Sequence, residues 1–137
     1  MNDKLLYVFD TNVIVSAFLF FHSKPAQALF KALKNGQLVL STVIADELSE
    51  VLSRKKFDRY IHLKKRTEFL KALLREAVFA KSTECIQVCR DPKDDKFIEL
   101  AVSAKAVCIV SSDNDLLVLN PFRNIPILTP DEFLKRQ

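Results

Sequence analysis

Short unbroken apolar runs alternate along this chain with longer stretches whose apolar residues recur every third or fourth position. Leu5-Leu6-Tyr7-Val8-Phe9, Leu38-Val39-Leu40 within the strand read at 37–40, and Val107-Cys108-Ile109-Val110 are of the first kind. Residues 85–88 and 125–128, interrupted by Gln87 and Pro126, read as two further short strands. Uninterrupted apolar runs of this length suit strands covered on both faces. The stretches between them carry helix signals. Asp10-Thr11-Asn12 opens a helix to about Phe20, with Asp10 or Thr11 as its cap. Pro25 starts the next at its first turn, and Asn35-Gly36 ends it. Gly36, the only glycine, is expected there in a left-handed cap. Ser41 or Thr42 caps a third helix to about Arg54, and 64–80 reads as a fourth. Asp91-Pro92 begins a fifth, and 114–119 and 129–137 are short ones. Strand and helix in regular alternation predict an α/β fold, a three-layer α/β/α sandwich around a parallel, about five-stranded sheet. With 137 residues it forms a single domain. Right-handed crossovers bring the carboxyl ends of the strands to one edge, where open α/β sheets hold ligands.

Four acids fall where that edge would gather them: Asp10, Glu47, Asp95 and Asp113. Asp10 follows the first apolar run; capping by Thr11 would free its carboxylate for the edge. Glu47 sits within the apolar arc of the third helix, between the directions of Val43 and Val51. An inward carboxylate is costly without a partner, which a bound cation or an ion pair to lysine or arginine would supply. Asp91 and Asp94 have structural roles at the start of the fifth helix, as cap and as first-turn acid. Asp95 lies near the helical directions of Ile98 and Val102 and is taken as the functional acid, with Asp94 as the alternative. Asp113 and Asp115 follow the strand at 107–110; one caps the short helix, and Asp113, nearer the strand, is preferred for the site, with Asp115 as an outer ligand. Ser111 is placed to hydrogen-bond an acid. Carboxylates held together repel unless protons or cations neutralise them, so a hard divalent ion is expected.

Composition narrows the classes. Hydrophobic residues make up 49% and charged ones 28%, which excludes a disordered chain. The longest apolar stretch, 13–21, is too short to cross a bilayer and contains Ser16, so no membrane partner is expected. Asn-Asp-Lys leading straight into a strand is unlike a signal peptide, and a cytoplasmic location follows as the expectation. The three cysteines do not form a disulfide framework, and Cys85 and Cys89 lack the spacing of a zinc site. Buried free thiols are the expectation. The net charge is +4, with much of the excess between Arg54 and Arg75. A basic band beginning with Arg54, Lys55, Lys56 and Arg59 and running through Arg66, beside an acidic pocket, suits a polyanionic substrate. A solvated helical face is the plainer explanation of the same charges.

These residues in this order resemble the PIN-domain family, the nuclease domain common among the toxins of bacterial toxin–antitoxin pairs. The matching pieces are Val8-Phe9-Asp10-Thr11-Asn12-Val13, Glu47-Leu48, Asp94-Asp95-Lys96-Phe97 and Val110-Ser111-Ser112-Asp113. Arg90-Asp91-Pro92-Lys93-Asp94-Asp95-Lys96-Phe97 together with Asp113-Asn114-Asp115-Leu116-Leu117 looks like the branch described as toxin components. The resemblance implies a five-stranded parallel sheet with helices on both faces. It also implies a Mg²⁺- or Mn²⁺-dependent endoribonuclease acting on single-stranded RNA. Its metal-binding and catalytic acids fall on Asp10, Glu47, Asp95 and Asp113, with Asn12 and Ser111 at supporting polar positions. The doublet Asp94-Asp95 leaves the third acid open by one residue. A small antitoxin partner and a homodimer are implied as well.

Two other classes share parts of the pattern. One is the same fold without turnover, serving as a binding module. The other is an aspartate-based phosphohydrolase or a receiver-type domain. The first of these wants Asp-x-Asp, whereas position 12 is Asn; the second wants an acidic pair beside Asp10, which stands alone.

Overall fold

The computed structural model describes residues 5–136. Five parallel strands form one sheet: β1 (Leu5–Phe9), β2 (Gly36–Leu40), β3 (Val78–Phe79), β4 (Cys108–Val110) and β5 (Ile127–Leu128), in the order β3-β2-β1-β4-β5. The α-helices are α1 (Thr11–Leu19), α2 (Lys24–Asn35), α3 (Thr42–Leu52), α4 (Leu63–Glu76), α5 (Asp95–Ala104), α6 (Asn114–Leu117) and α7 (Pro130–Lys135). The strand order runs outward from β1 to β3, then returns past β1 to β4 and β5. With right-handed crossovers, the helices of the first half cover one face and α5 covers the other. The central strands are buried on both sides, as their continuous apolar runs require: Val8, Phe9, Leu38, Leu40, Ile109 and Val110 are almost wholly enclosed. Helix α7 returns to α2, and its Phe133 meets Tyr7 and Phe9 edge-on, at ring distances of 5.6 and 6.1 Å. Among the described residues no single helix is long and apolar enough to cross a membrane.

Three expectations are corrected. The third strand is Val78–Phe79, paired with Val39 and Leu40, and not residues 85–88. The latter form a loop whose amides are taken by side chains: Ile86 N–H donates to Glu99 and Val88 N–H to Asp95, at 2.8 and 3.1 Å. Gly36 is not a left-handed cap. Its φ of −172° is extended backbone, and it begins β2. The reason for glycine is close approach, since a Cβ there would lie 2.1 Å from the Leu5 carbonyl oxygen on the paired strand. The thiols are not uniformly buried: Cys108 is, but Cys85 is exposed and Cys89 intermediate.

The helix starts follow the sequence except at the fifth, where Asp91-Pro92 opens a 3₁₀ turn, Pro92–Asp94, and α5 begins only at Asp95. Ser23, Ser41 and Thr129 accept from amides in the first turns of α2, α3 and α7, and Thr129 with Glu132 forms a reciprocal capping box. The sheet turns at β1 and β4, adjacent strands whose chains leave in opposite directions. That is the switch point where such sheets open a crevice at the carboxyl ends.

Candidate active site

The crevice at that point is a polar cleft of about 270 Å³. Asp10, Asn12, Glu47, Asp94 and Asp113 line it, together with Arg54, Lys93 and Lys96. Residues separated by most of the chain meet here because β1, β2 and β4 end side by side. The first amide beyond β1, that of Asp10, still donates to Val110 O on β4, at 3.0 Å.

Asp10 is buried and caps α1. Oδ1 accepts from Val13 N–H at 2.8 Å, while Oδ2 accepts from the Ser111 hydroxyl and, at 3.3 Å, from Ser112 N–H. Thr11 therefore does not replace it as cap; Asp10 caps the helix and faces the cleft at once. Burial pushes its carboxyl above the ordinary aspartate range, against these hydrogen bonds, and nearby Asp113 pushes the same way. Ser111 is fully enclosed and joins the two strand-end acids, since its Oγ also accepts from Asp113 N–H at 2.9 Å. Asp113 in turn caps α6 by accepting from Asp115 N–H at 2.9 Å.

Glu47 is held from two sides. Thr11 donates its hydroxyl to Oε1, tying α3 to α1, and Lys96 Nζ lies 2.9 Å from Oε2. The lysine of α5 is thus the partner that the inward carboxylate needed. Asn12 is exposed at the mouth.

The third acid differs from the expectation. Asp95 is buried, but its carboxylate turns away from the cleft and accepts from Val88 and Cys89 N–H, at 3.1 and 2.8 Å, pinning the loop ahead of α5. Although burial works against it, these amides lower its pKa. Burial first, and then the same carboxylate, push the Cys89 thiol up to about 12. Asp94 faces the cleft instead, from the 3₁₀ turn at Pro92–Asp94 that precedes α5. Asp94, Asp113 and Asp115 each offer a carboxylate oxygen within 4.8 Å of the others. Burial first, then the facing Asp113 and nearby Asp91, push Asp94 up to about 7. Its Oδ2 is buried without a hydrogen-bond partner among the described residues. Asp115 is partly engaged by Arg90, 3.2 Å away.

Of the basic band, Arg54 lines the cleft and holds Glu50 through two hydrogen bonds of 2.9 and 2.8 Å. Lys55 and Lys56 sit in the 3₁₀ turn Lys55–Phe57, and Arg59 lies over the Tyr60 ring; all are exposed. Arg66 does not belong to this surface. It is buried, and its guanidinium donates to the carbonyls of Leu52 and Ile61 and to Asp58.

Sequence reasoning missed Lys96, Lys93 and Thr11 as parts of the cleft. Lys96 had a signal: a lysine beside the acidic doublet was available to answer the inward Glu47. Thr11 was read only as a cap.

The PIN domain family model matches residues 6–115. The uncharacterized protein MJ1680 of Methanocaldococcus jannaschii is 29% identical over 142 residues, covering 96% of this chain and 91% of the relative. Among solved structures, PAE2754 from Pyrobaculum aerophilum superposes with a TM-score of 0.61 at 14% identity, over 96% of this chain and 88% of the other. VapBC2 from Rickettsia felis, solved bound to a DNA fragment from its promoter, gives 0.57 at 15% identity over 90% and 97%. Those two likenesses concern the fold. With the family model matching residues 6–115, well over half of its length, the chain belongs to the PIN domain family.

Proposed function

We propose that the chain is a divalent-metal-dependent endoribonuclease that hydrolyses phosphodiester bonds of single-stranded RNA, as the toxin of a toxin–antitoxin pair. The observation that carries this reading is Asp94: its Oδ2 is buried without a hydrogen-bond partner among the described residues, and its carboxylate offers an oxygen within 4.8 Å of Asp113 and Asp115. The donors are all carboxylate oxygens, the set that Mg²⁺ and Mn²⁺ prefer over soft metals. In this reading Asp94 and Asp113 hold the ion, with Asp10 and Asp115 beside them and Glu47 across the cleft. Asp94 replaces Asp95 in that role.

A bound divalent ion supplies positive charge to the phosphate and lowers the pKa of water, which favours hydrolysis at neutral pH. The side chains do the rest. Val13 N–H and Ser111 fix the Asp10 carboxylate, and Asn12 waits at the mouth to hold substrate. Arg54, Lys55, Lys56 and Arg59 bind the RNA backbone next to the cleft. Both oxygens of Asp10 are occupied by hydrogen bonds, which favours hydrolysis by water over attack by Asp10 itself. The small antitoxin and the second subunit fit the exposed aromatic strip at the end of α1. There Phe20 meets Tyr60, and Phe21 meets Phe30, with ring centroids 5.7 and 5.4 Å apart, while Phe18 is stacked on Phe69.

The test is cleavage of a labelled single-stranded RNA with Mn²⁺, with and without EDTA. Activity that needs the metal and vanishes in Asp10→Asn and Asp94→Asn supports the reading. Undiminished cleavage by Asp94→Asn would overturn the assignment, and a folded protein that binds RNA without cutting it would favour a binding module.

A further inference from the structure

We propose that Lys96 takes the place of a second divalent ion, so that this cleft loads one metal on its aspartate side and keeps a built-in cation on its glutamate side. The inference rests on the nuclease reading above and deepens it.

Two halves of the cleft differ in how their charge is answered. On one side Asp94, Asp113 and Asp115 crowd together, and among the described residues their one ion pair is that of Arg90 with the outer member, Asp115. On the other side both oxygens of Glu47 are taken, one by the Thr11 hydroxyl and one by Lys96. Lys96 is also anchored independently of Glu47. Its ammonium donates to Lys93 O at 2.5 Å and lies 4.9 Å from the centre of the Phe97 ring. Its side chain is 19% exposed. A lysine held by a carbonyl, an aromatic face and a carboxylate is a fixed charge, unlike a lysine swinging in solvent. It sits in the lining of the cleft, where a phosphate entering toward Asp94 would pass. A fixed ammonium offers the phosphate the electrostatic stabilisation that a second ion supplies in two-metal sites.

The experiment is calorimetric titration of Mn²⁺ into the full, metal-stripped chain. Wild type is expected to bind one ion per chain. Lys96→Met uncovers Glu47 and is expected to bind two, and adding Glu47→Gln to that variant returns the number to one. With RNA at low Mn²⁺, Lys96→Met is expected to lose about 100-fold in kcat with a smaller change in KM, the size seen on removing one preorganised charge donor. Raising Mn²⁺ restores its rate, and Lys96→Arg keeps one ion and most of the activity. Two ions on wild type, which needs no variant to fold, would overturn the proposal, as would one ion on Lys96→Met. No ion on wild type would overturn the metal reading itself, and this inference with it.

Discussion

Asp94 and Asp95 are neighbours with opposite demands on protons. Asp94 has its pKa raised to about 7 from an ordinary 3.8 by burial and the facing carboxyl. Between about pH 4 and 7 the folded chain therefore keeps a proton that the unfolded chain gives up, so this residue's contribution to stability falls as pH rises through that window. In metal-free buffer, Asp94→Asn should raise Tm by about 2–6 °C at pH 8. That gain should shrink as the pH is lowered toward 4. Mn²⁺ should reverse the order, stabilising wild type but not the variant. Asp95→Ala should act the other way, costing about 1–3 kcal/mol because the partly buried amides of Val88 and Cys89 lose their acceptor. Thermal melts of both variants with and without Mn²⁺ check the pair; equal shifts in both would contradict the difference. The sequence did not separate the two for a physical reason. Helical spacing traced back from Ile98 and Val102 reaches Asp95 and correctly finds it buried. Yet the interior at that point is the backbone of the loop at 85–90, and Asp94 lies in a 3₁₀ turn where helical spacing no longer applies. Asp10 and Asp113 reach the cleft lining from the strand ends they follow, as read; Glu47 reaches it too, although Val43, taken as one edge of its apolar arc, is 63% exposed.

At the scale of elements, what the sequence conveyed depended on length. Strands of three to five apolar residues in the middle of the sheet were plain, whereas β3 has two residues and follows α4 after a single residue, Ala77. Its pattern is absorbed by the helix before it. The run at 85–88 has the apolar alternation of a strand, but its amides are satisfied by Asp95 and Glu99 and it never joins the sheet. Charge alone misread Arg66 as surface. It lies on α4 among exposed Lys64, Lys65 and Thr67, yet it turns inward and fastens the segment between α3 and α4 by three carbonyls and Asp58. Periodicity could have flagged it, since it falls in line with Leu70 and Leu73. Arg66→Ala should therefore cost about 2–4 kcal/mol through lost packing and unpaired carbonyls. Lys65→Ala should stay within about 0.5 kcal/mol. Urea midpoints of the two variants measure this, and a small effect for Arg66 would show that the segment holds without it.

For the molecule as a whole, the sheet gives the charge a direction. The cleft lies at the carboxyl edge; Arg54 lines it just beyond α3, and Lys55, Lys56 and Arg59 follow Arg54 along the chain. Lys34, Lys71 and Arg75 are exposed as well; Lys34 and Arg75 sit at the ends of α2 and α4, just before β2 and β3 begin and so at the opposite edge, and Lys71 lies one turn back from Arg75 on α4. Two triple variants can then carry the same net charge, lowered from +4 to +1, while differing only in place. If the band beside the cleft holds RNA, replacing Lys55, Lys56 and Arg59 by Ala removes up to three phosphate contacts. The slope of log affinity against log salt should fall by about 2, at roughly 0.7 per contact on single strands. KM should rise accordingly, while kcat at saturation should hold, because none of the three lines the cleft. Replacing Lys34, Lys71 and Arg75 should leave the slope nearly unchanged. Filter binding of an oligoribonucleotide across a salt series decides between the two. Equal slopes in both variants would mean that RNA responds to the net charge of the molecule and not to a track leading into its acidic edge.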